Sequence, residues 1–112
     1  MSEAFFWLDV KVYYEDTDCL GVVYHANYLK YFERARTEMV SALGKPIETW
    51  NAEGYGFVVF TMTITWHKPA KLNERLRVRT SRMEGSSAYR LKLDQRIYRG
   101  EELLTEAEVE AC

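Results

Sequence analysis

The chain has 112 residues, 47% of them hydrophobic and 29% charged, with a formal net charge of −2. That length suits one domain over 1–112 rather than two, and with a net charge this small nothing points to nucleic acid or an anionic membrane surface as a partner. No apolar run approaches the ~20 residues of a bilayer span, the start lacks the regions of a secretory leader, and Cys19 and Cys112 make no disulfide framework, so the sequence reads as cytoplasmic.

Residues Phe6 to Asp16 alternate. Phe6, Leu8, Val10, Val12 and Tyr14 share one face, and Trp7, Asp9, Lys11, Tyr13 and Glu15 the other, which is the period of a half-buried strand. Between this strand and the only long helical pattern lies Glu15-Asp16-Thr17-Asp18-Cys19-Leu20-Gly21-Val22-Val23-Tyr24-His25. Gly21 stands there where the backbone needs a conformation other residues resist. Tyr24, Tyr28, Phe32, Ala35, Met39 and Leu43 then recur at helical steps, with Leu29 beside them. Asn27 fits an N-cap and Gly44 a C′ position. Pro46 to Glu53 reads as a short second helix closed by Gly54. On the polar face, Glu33 with Arg36 and Arg34 with Glu38 have the spacing of solvated ion pairs.

From Tyr55 the period returns to two. Val58, Phe60, Met62, Ile64 and Trp66 face one way and Val59, Thr61, Thr63 and Thr65 the other, until Pro69 ends the strand. Leu76, Val78 and Thr80 alternate with Arg75, Arg77 and Arg79. Tyr89, Leu91, Leu93, Gln95 and Ile97 form the inner row of a fourth strand, and Leu103, Thr105, Ala107, Val109 and Ala111 that of a fifth. Glu84-Gly85-Ser86-Ser87 and Arg99-Gly100-Glu101 mark turns. Strand, long helix, then four strands joined by tight turns predicts an α+β fold, an antiparallel five-stranded sheet wrapped around one long helix. One helix cannot cover both faces and both edges of such a sheet, so at least a dimer is expected. The last strand pattern breaks off at Cys112, as in a strand cut short.

Asp18 leads the candidates for chemistry. A carboxylate just before a helix start can serve as general base on water or as nucleophile, beside N–H groups that hold an oxyanion. A turn-capping carboxylate is the alternative. His25 suits a substrate-orienting donor, a proton carrier, or a histidine that satisfies the turn. His67, before Pro69, reads as a surface residue. Cys19 near His25 raises a Cys/His hydrolase, but sequence neighbours need not face one another, and most cysteines fill space. Asp16-x-Asp18 lacks the glycine and glutamate positions of a calcium loop, so no metal is expected. The Arg75, Arg77, Arg79 stripe matches a Glu106, Glu108, Glu110 stripe, and pairing of the two across strands is expected.

The ordered string Tyr13-Tyr14-Glu15-Asp16-Thr17-Asp18-x-x-Gly21-Val22-Val23-Tyr24-His25-x-x-Tyr28-x-x-Tyr31-Phe32-Glu33-x-Ala35-Arg36-Thr37-Glu38 resembles the hotdog-fold acyl-CoA thioesterases. It is most similar to the 4-hydroxybenzoyl-CoA thioesterase group and its Tol–Pal-associated, YbgC-like branch. Pro69-Ala70, Ser86-Ser87 and Leu103-Leu104-Thr105-Glu106-Ala107 extend the likeness over nearly the whole chain. The resemblance implies a hotdog fold, dimers whose sheets join, often tetramers, and hydrolysis of acyl-CoA to free acid and coenzyme A without a cofactor. It assigns the catalytic carboxylate to Asp18 and the oxyanion-binding N–H to the position of His25. Tyr14, Gly21 and Asn27 match neighbours of that site. Phe60, Thr61 and Met62 would line the partner's pocket at a dimer interface. The chemistry is consistent, because a thiolate leaves readily and a carboxylate with an oxyanion site suffices. A noncatalytic module that binds acyl-CoA or an acyl-carrier protein is the alternative. Tyr24, Tyr28 and Trp66 either line an aromatic acyl pocket or build the core.

Overall fold

A computed structural model describes residues 5–54, 56–86 and 90–112. Met1 to Ala4, Tyr55, Ser87 and Tyr89 of the sequence reading lie outside them. The alternating stretches form β1 (Phe6–Lys11), β2 (Val59–Trp66), β3 (Arg75–Arg82), β4 (Leu91–Arg99) and β5 (Glu102–Ala111). The helical patterns form α1 (Tyr28–Ala42) and α2 (Ile47–Ala52). All strand pairs are antiparallel, in the order β1-β3-β4-β5-β2, and α1 packs over β1 and β3. This is the expected α+β architecture.

Tyr28, Tyr31, Phe32 and Ala35 are the buried stripe of α1. They meet Leu76 and Val78 of β3, Leu93 and Ile97 of β4, and Ala107 and Val109 of β5 in one core cluster. Each large apolar side chain buried there contributes roughly 1.5–3 kcal/mol. The stripe is rotated from the expected row: Tyr31 joins it, while Tyr24, Leu29 and Leu43 stay exposed. Tyr24 precedes a 3-10 turn (His25–Asn27), so a helical step from it does not reach the core. Gln95 lies fully buried in mid-sheet with its amide satisfied: its Nε2 donates to Phe32 O (3.0 Å) and Thr80 Oγ1 (2.9 Å), and its Oε1 accepts from Arg36 Nη1 (2.9 Å). Arg36 therefore turns inward to the core instead of serving only a surface pair with Glu33, and desolvation lowers its pKa.

Three expectations are corrected. β1 ends at Lys11, and Tyr14 lies in a 3-10 turn (Tyr14–Asp16), 82% exposed. The β2–β3 connection is no tight turn, because β2 is an edge strand and the chain must cross β5 and β4, about 14 Å at three strand spacings. The arginine and glutamate stripes do not pair, because β4 separates β3 from β5. Arg77 instead meets Asp9 (3.8 Å) and lies over the Trp7 ring (4.0 Å), and Arg79 lies over Phe5 (4.5 Å). Glu106 pairs with His67 (2.7 Å). Such exposed pairs contribute about 0–1 kcal/mol each. Among the described residues, no helix is long and apolar enough to cross a membrane.

Candidate active site

Between β1 and α1 the chain folds into a miniature hairpin. Asp18 N–H donates to Val22 O (2.9 Å), Thr17 bridges Val23, and Tyr24 N–H donates to Asp16 O (3.0 Å). Gly21 closes its tip, donating to Asp18 O (3.1 Å) at φ 80°, in the left-handed region. Gly21→Ala is expected to cost roughly 1–2 kcal/mol, read as a lower urea midpoint, because a Cβ is strained there. The returning strand is tied to the rest of the fold by Val23 N–H to Ala70 O (2.9 Å) and by a bridge from Val22 to Lys71.

The hairpin presents Asp18. The carboxylate is half-buried, and its Oδ1 accepts the Leu20 N–H (2.8 Å). Among the described residues its Oδ2 has no hydrogen bond. His25 opens the 3-10 turn into α1, and Tyr24 supplies no side-chain cap. The first N–H groups of that turn therefore lack intrahelical partners and carry the positive end of the helix dipole. The His25 ring is exposed, tilted against Tyr24 (4.5 Å) and edge-on to Trp66 (5.9 Å). Trp66 Nε1–H donates to the His25 carbonyl (3.2 Å). A cleft of about 240 Å³ opens beside this turn, lined in part by Val23, His25, Tyr28, Trp66 and Pro69.

Beneath the hairpin, Asp16 is only 6% exposed. Its Oδ2 accepts the Tyr13 N–H (2.9 Å) and its Oδ1 accepts Asn27 Nδ2–H (2.8 Å). Burial alone would raise its pKa. The Tyr13 N–H, the Asn27 amide, the Tyr31 hydroxyl and the Arg34 charge outweigh burial and hold it below the ordinary aspartate value. The Tyr31 hydroxyl is fully buried beside this carboxylate, and burial, then the carboxylate itself, push its pKa up. Asn27 thus does not cap α1 with its side chain but ties the helix start to Asp16.

The sequence-derived site residues separate into groups. Asp18, Gly21 and His25 share the hairpin and the turn that follows it, with Asn27 one layer below. Tyr14 points to solvent. Phe60 and Thr61 are exposed on the β2 edge, at a bulge between Val59 and Thr61, while Met62 packs on the chain's own core. Cys19 is exposed at the hairpin tip. Sequence reasoning weighs Asp16 only against a metal, gives Tyr31 no role of its own, and leaves Trp66 between an acyl pocket and the core. The first two were in the ordered motif, whereas nothing local marks the contact of Trp66.

The thioesterase superfamily pattern matches residues 20–106. The chain belongs to this superfamily. It is 45% identical over 112 residues to the acyl-CoA thioester hydrolase YbgC of Escherichia coli O6:H1, covering 97% of this chain and 81% of that protein. It is likewise 45% identical over 114 residues to the acyl-CoA thioesterase YbgC of Haemophilus influenzae, covering 100% of this chain and 83% of that protein. A crystal structure of a probable thioesterase from Bartonella henselae matches with a TM-score of 0.92 at 36% identity, covering 97% of this chain and 90% of that one. As a thioesterase superfamily member the chain is a thioester hydrolase with the hotdog fold.

Proposed function

We propose that this thioesterase hydrolyses acyl-CoA to free acid and coenzyme A, with Asp18 as the catalytic carboxylate and the N–H groups at the His25 turn as the oxyanion site. The observation that carries the reading is a half-buried carboxylate, one oxygen of which has no hydrogen bond among the described residues, on the hydrogen-bonded hairpin that leads into a helix start without a side-chain cap. The names of the relatives, acyl-CoA thioester hydrolase and acyl-CoA thioesterase, support coenzyme A as the leaving group.

The steps follow from the residues. The thioester oxygen sits at the N–H groups of the turn, where the helix dipole favours developing negative charge. Asp18 takes a proton from water as water attacks the carbonyl, or attacks the carbonyl itself to give an anhydride that water then opens. The tetrahedral centre collapses with coenzyme A thiolate leaving, which needs little acid assistance because thiol pKa values are near ~8.5. The exposed Phe60 and Thr61 of the β2 edge complete the cleft from a second copy, in a homodimer that pairs further into a tetramer. Single-turnover hydrolysis in ¹⁸O-water tests the covalent route: label in the Asp18 carboxylate identifies an anhydride opened at the aspartyl carbonyl.

The test is thiol release across a panel of short, long and aromatic acyl-CoA substrates. The expected result is kcat/KM of about 10⁴ M⁻¹s⁻¹ or more for the preferred acyl group. Tight acyl-CoA or acyl-carrier-protein binding with no thiol release would instead establish the noncatalytic binding module.

A further inference from the structure

We infer that Trp66 is a positioning residue for the oxyanion site, acting through the peptide group that joins His25 to Ala26. The inference rests on the acyl-CoA hydrolase reading above and adds a residue from the opposite edge of the sheet.

Trp66 is the last residue of β2, and its indole remains 45% exposed. Core packing therefore does not account for it. Its two contacts at the helix start do. The Nε1–H donates to the His25 carbonyl at 3.2 Å, and the ring meets the His25 imidazole edge-on at 5.9 Å. The strand end that carries it is itself fixed. Trp66 pairs with Thr105 of β5, and the N–H groups of His67 and Lys68 both donate to Leu104 O, at 2.8 and 3.1 Å. Four residues on, Ala70 N–H donates to the buried Tyr28 hydroxyl (3.1 Å), and Ala70 O accepts the Val23 N–H (2.9 Å). The segment from Trp66 to Ala70 thus grips the hairpin-to-helix junction at His25, Val23 and Tyr28.

The hydrogen bond to His25 has a specific chemical consequence. The carbonyl of His25 and the N–H of Ala26 belong to one planar peptide unit. A donor on that carbonyl restrains rotation of the plane and polarises its N–H, since linked hydrogen bonds strengthen one another. The Ala26 N–H follows that of His25 as the second of the turn, with no intrahelical partner and no side-chain cap from Tyr24, and it serves as a second oxyanion donor beside the His25 N–H. Indole N–H, His25–Ala26 peptide and thioester oxygen then form one chain of donors and acceptors. The oxyanion carries more charge in the transition state than the ground-state carbonyl does, so the gain from this chain falls on kcat rather than on substrate binding.

Two variants test it: Trp66→Phe, and replacement of Trp66 by benzothienylalanine, which keeps the bicyclic shape and loses only the N–H. The expected result is a loss of kcat of about two- to tenfold, the effect of one neutral hydrogen bond, with KM unchanged and the melting temperature lowered by at most a few degrees. The carbonyl stretch of a bound ketone analogue of the substrate, with CH₂ in place of the thioester sulfur, should rise in frequency in both variants. Wild-type kcat and an unshifted stretch in an otherwise active enzyme would overturn the role of Trp66 alone. So would losses of kcat, KM and melting temperature in step in both variants, which would make the residue structural. A wild-type chain that releases no thiol from any acyl-CoA would take the hydrolase reading down, and this inference with it.

Discussion

Asp18→Asn is expected to lower kcat/KM by about 10²- to 10⁴-fold, the range for loss of a positioned general base or nucleophile. The change is nearly isosteric. An asparagine oxygen still accepts the Leu20 N–H, and the main-chain bonds of the hairpin to Val22 and Gly21 do not involve the side chain. The melting temperature and oligomeric state should therefore stay at their wild-type values. The amide neither takes a proton from water at neutral pH nor attacks a carbonyl. Thiol release by purified wild type and variant, with circular dichroism as the control for folding, decides the matter. Turnover near wild type in Asp18→Asn would sink the mechanism. Cys19→Ala serves as the counter-test: exposed at the hairpin tip, the thiol has no step in this mechanism, and its loss should leave kcat/KM intact.

The fold was legible where a side chain's environment is set by its own strand or helix. Leu76, Val78, Leu93, Ile97 and Val109 announced their buried face through strict alternation, and the structure buries all of them. Failures occurred where a distant partner decides. Glu106 and Arg77 look paired in sequence, but strand order is set by global packing, and β4 lies between their strands. Tyr14 continues the alternation of β1, yet the Asp16 carboxylate takes the Tyr13 N–H and turns the chain into a 3-10 turn. Phe60 falls at a bulge that no local pattern encodes.

The candidate site divides in the same way. The motif sets Asp18 and His25 within one junction, and the structure puts the first in the hairpin and the second in the turn that follows it, a local arrangement. Trp66 lies 41 positions from His25 and is reached only through the return of β2 along β5. Asp16 is legible as an acid, but neither the strand alternation that ends on it nor the rejected metal pair marks its burial. The Tyr31 hydroxyl, from α1, lies beside it and contributes to its lowered pKa.

Asp16→Ala should cost stability of about 2–4 kcal/mol and lower turnover as well, since it leaves the Tyr13 N–H and the Asn27 amide without an acceptor in a nearly dry site. Asn27 then no longer ties the start of α1 to the chain before the hairpin, so Asp18 and the His25 turn lose their common anchor. The pH dependence follows from the lowered pKa of Asp16. The fold favours the charged form, so the contribution of the carboxylate is complete above the unfolded aspartate value near ~3.9. It is lost as pH falls through the lower folded value. Urea midpoints of wild type and Asp16→Ala should therefore differ by a constant amount between about pH 5 and 7 and converge in acid below about pH 4. Asp16→Asn sharpens the point, because its amide keeps one acceptor for the two donors Tyr13 N–H and Asn27 Nδ2–H, and meeting both requires the Asn27 amide to turn over. A variant with the wild-type urea midpoint would remove the network from the stability of the fold. A destabilised variant with full kcat at a temperature where it remains folded would show that the anchor holds the fold and not the catalytic geometry. The expected outcome is loss of both, because the same two oxygens that satisfy Asn27 and Tyr13 connect the helix start to the strand end that leads into Asp18.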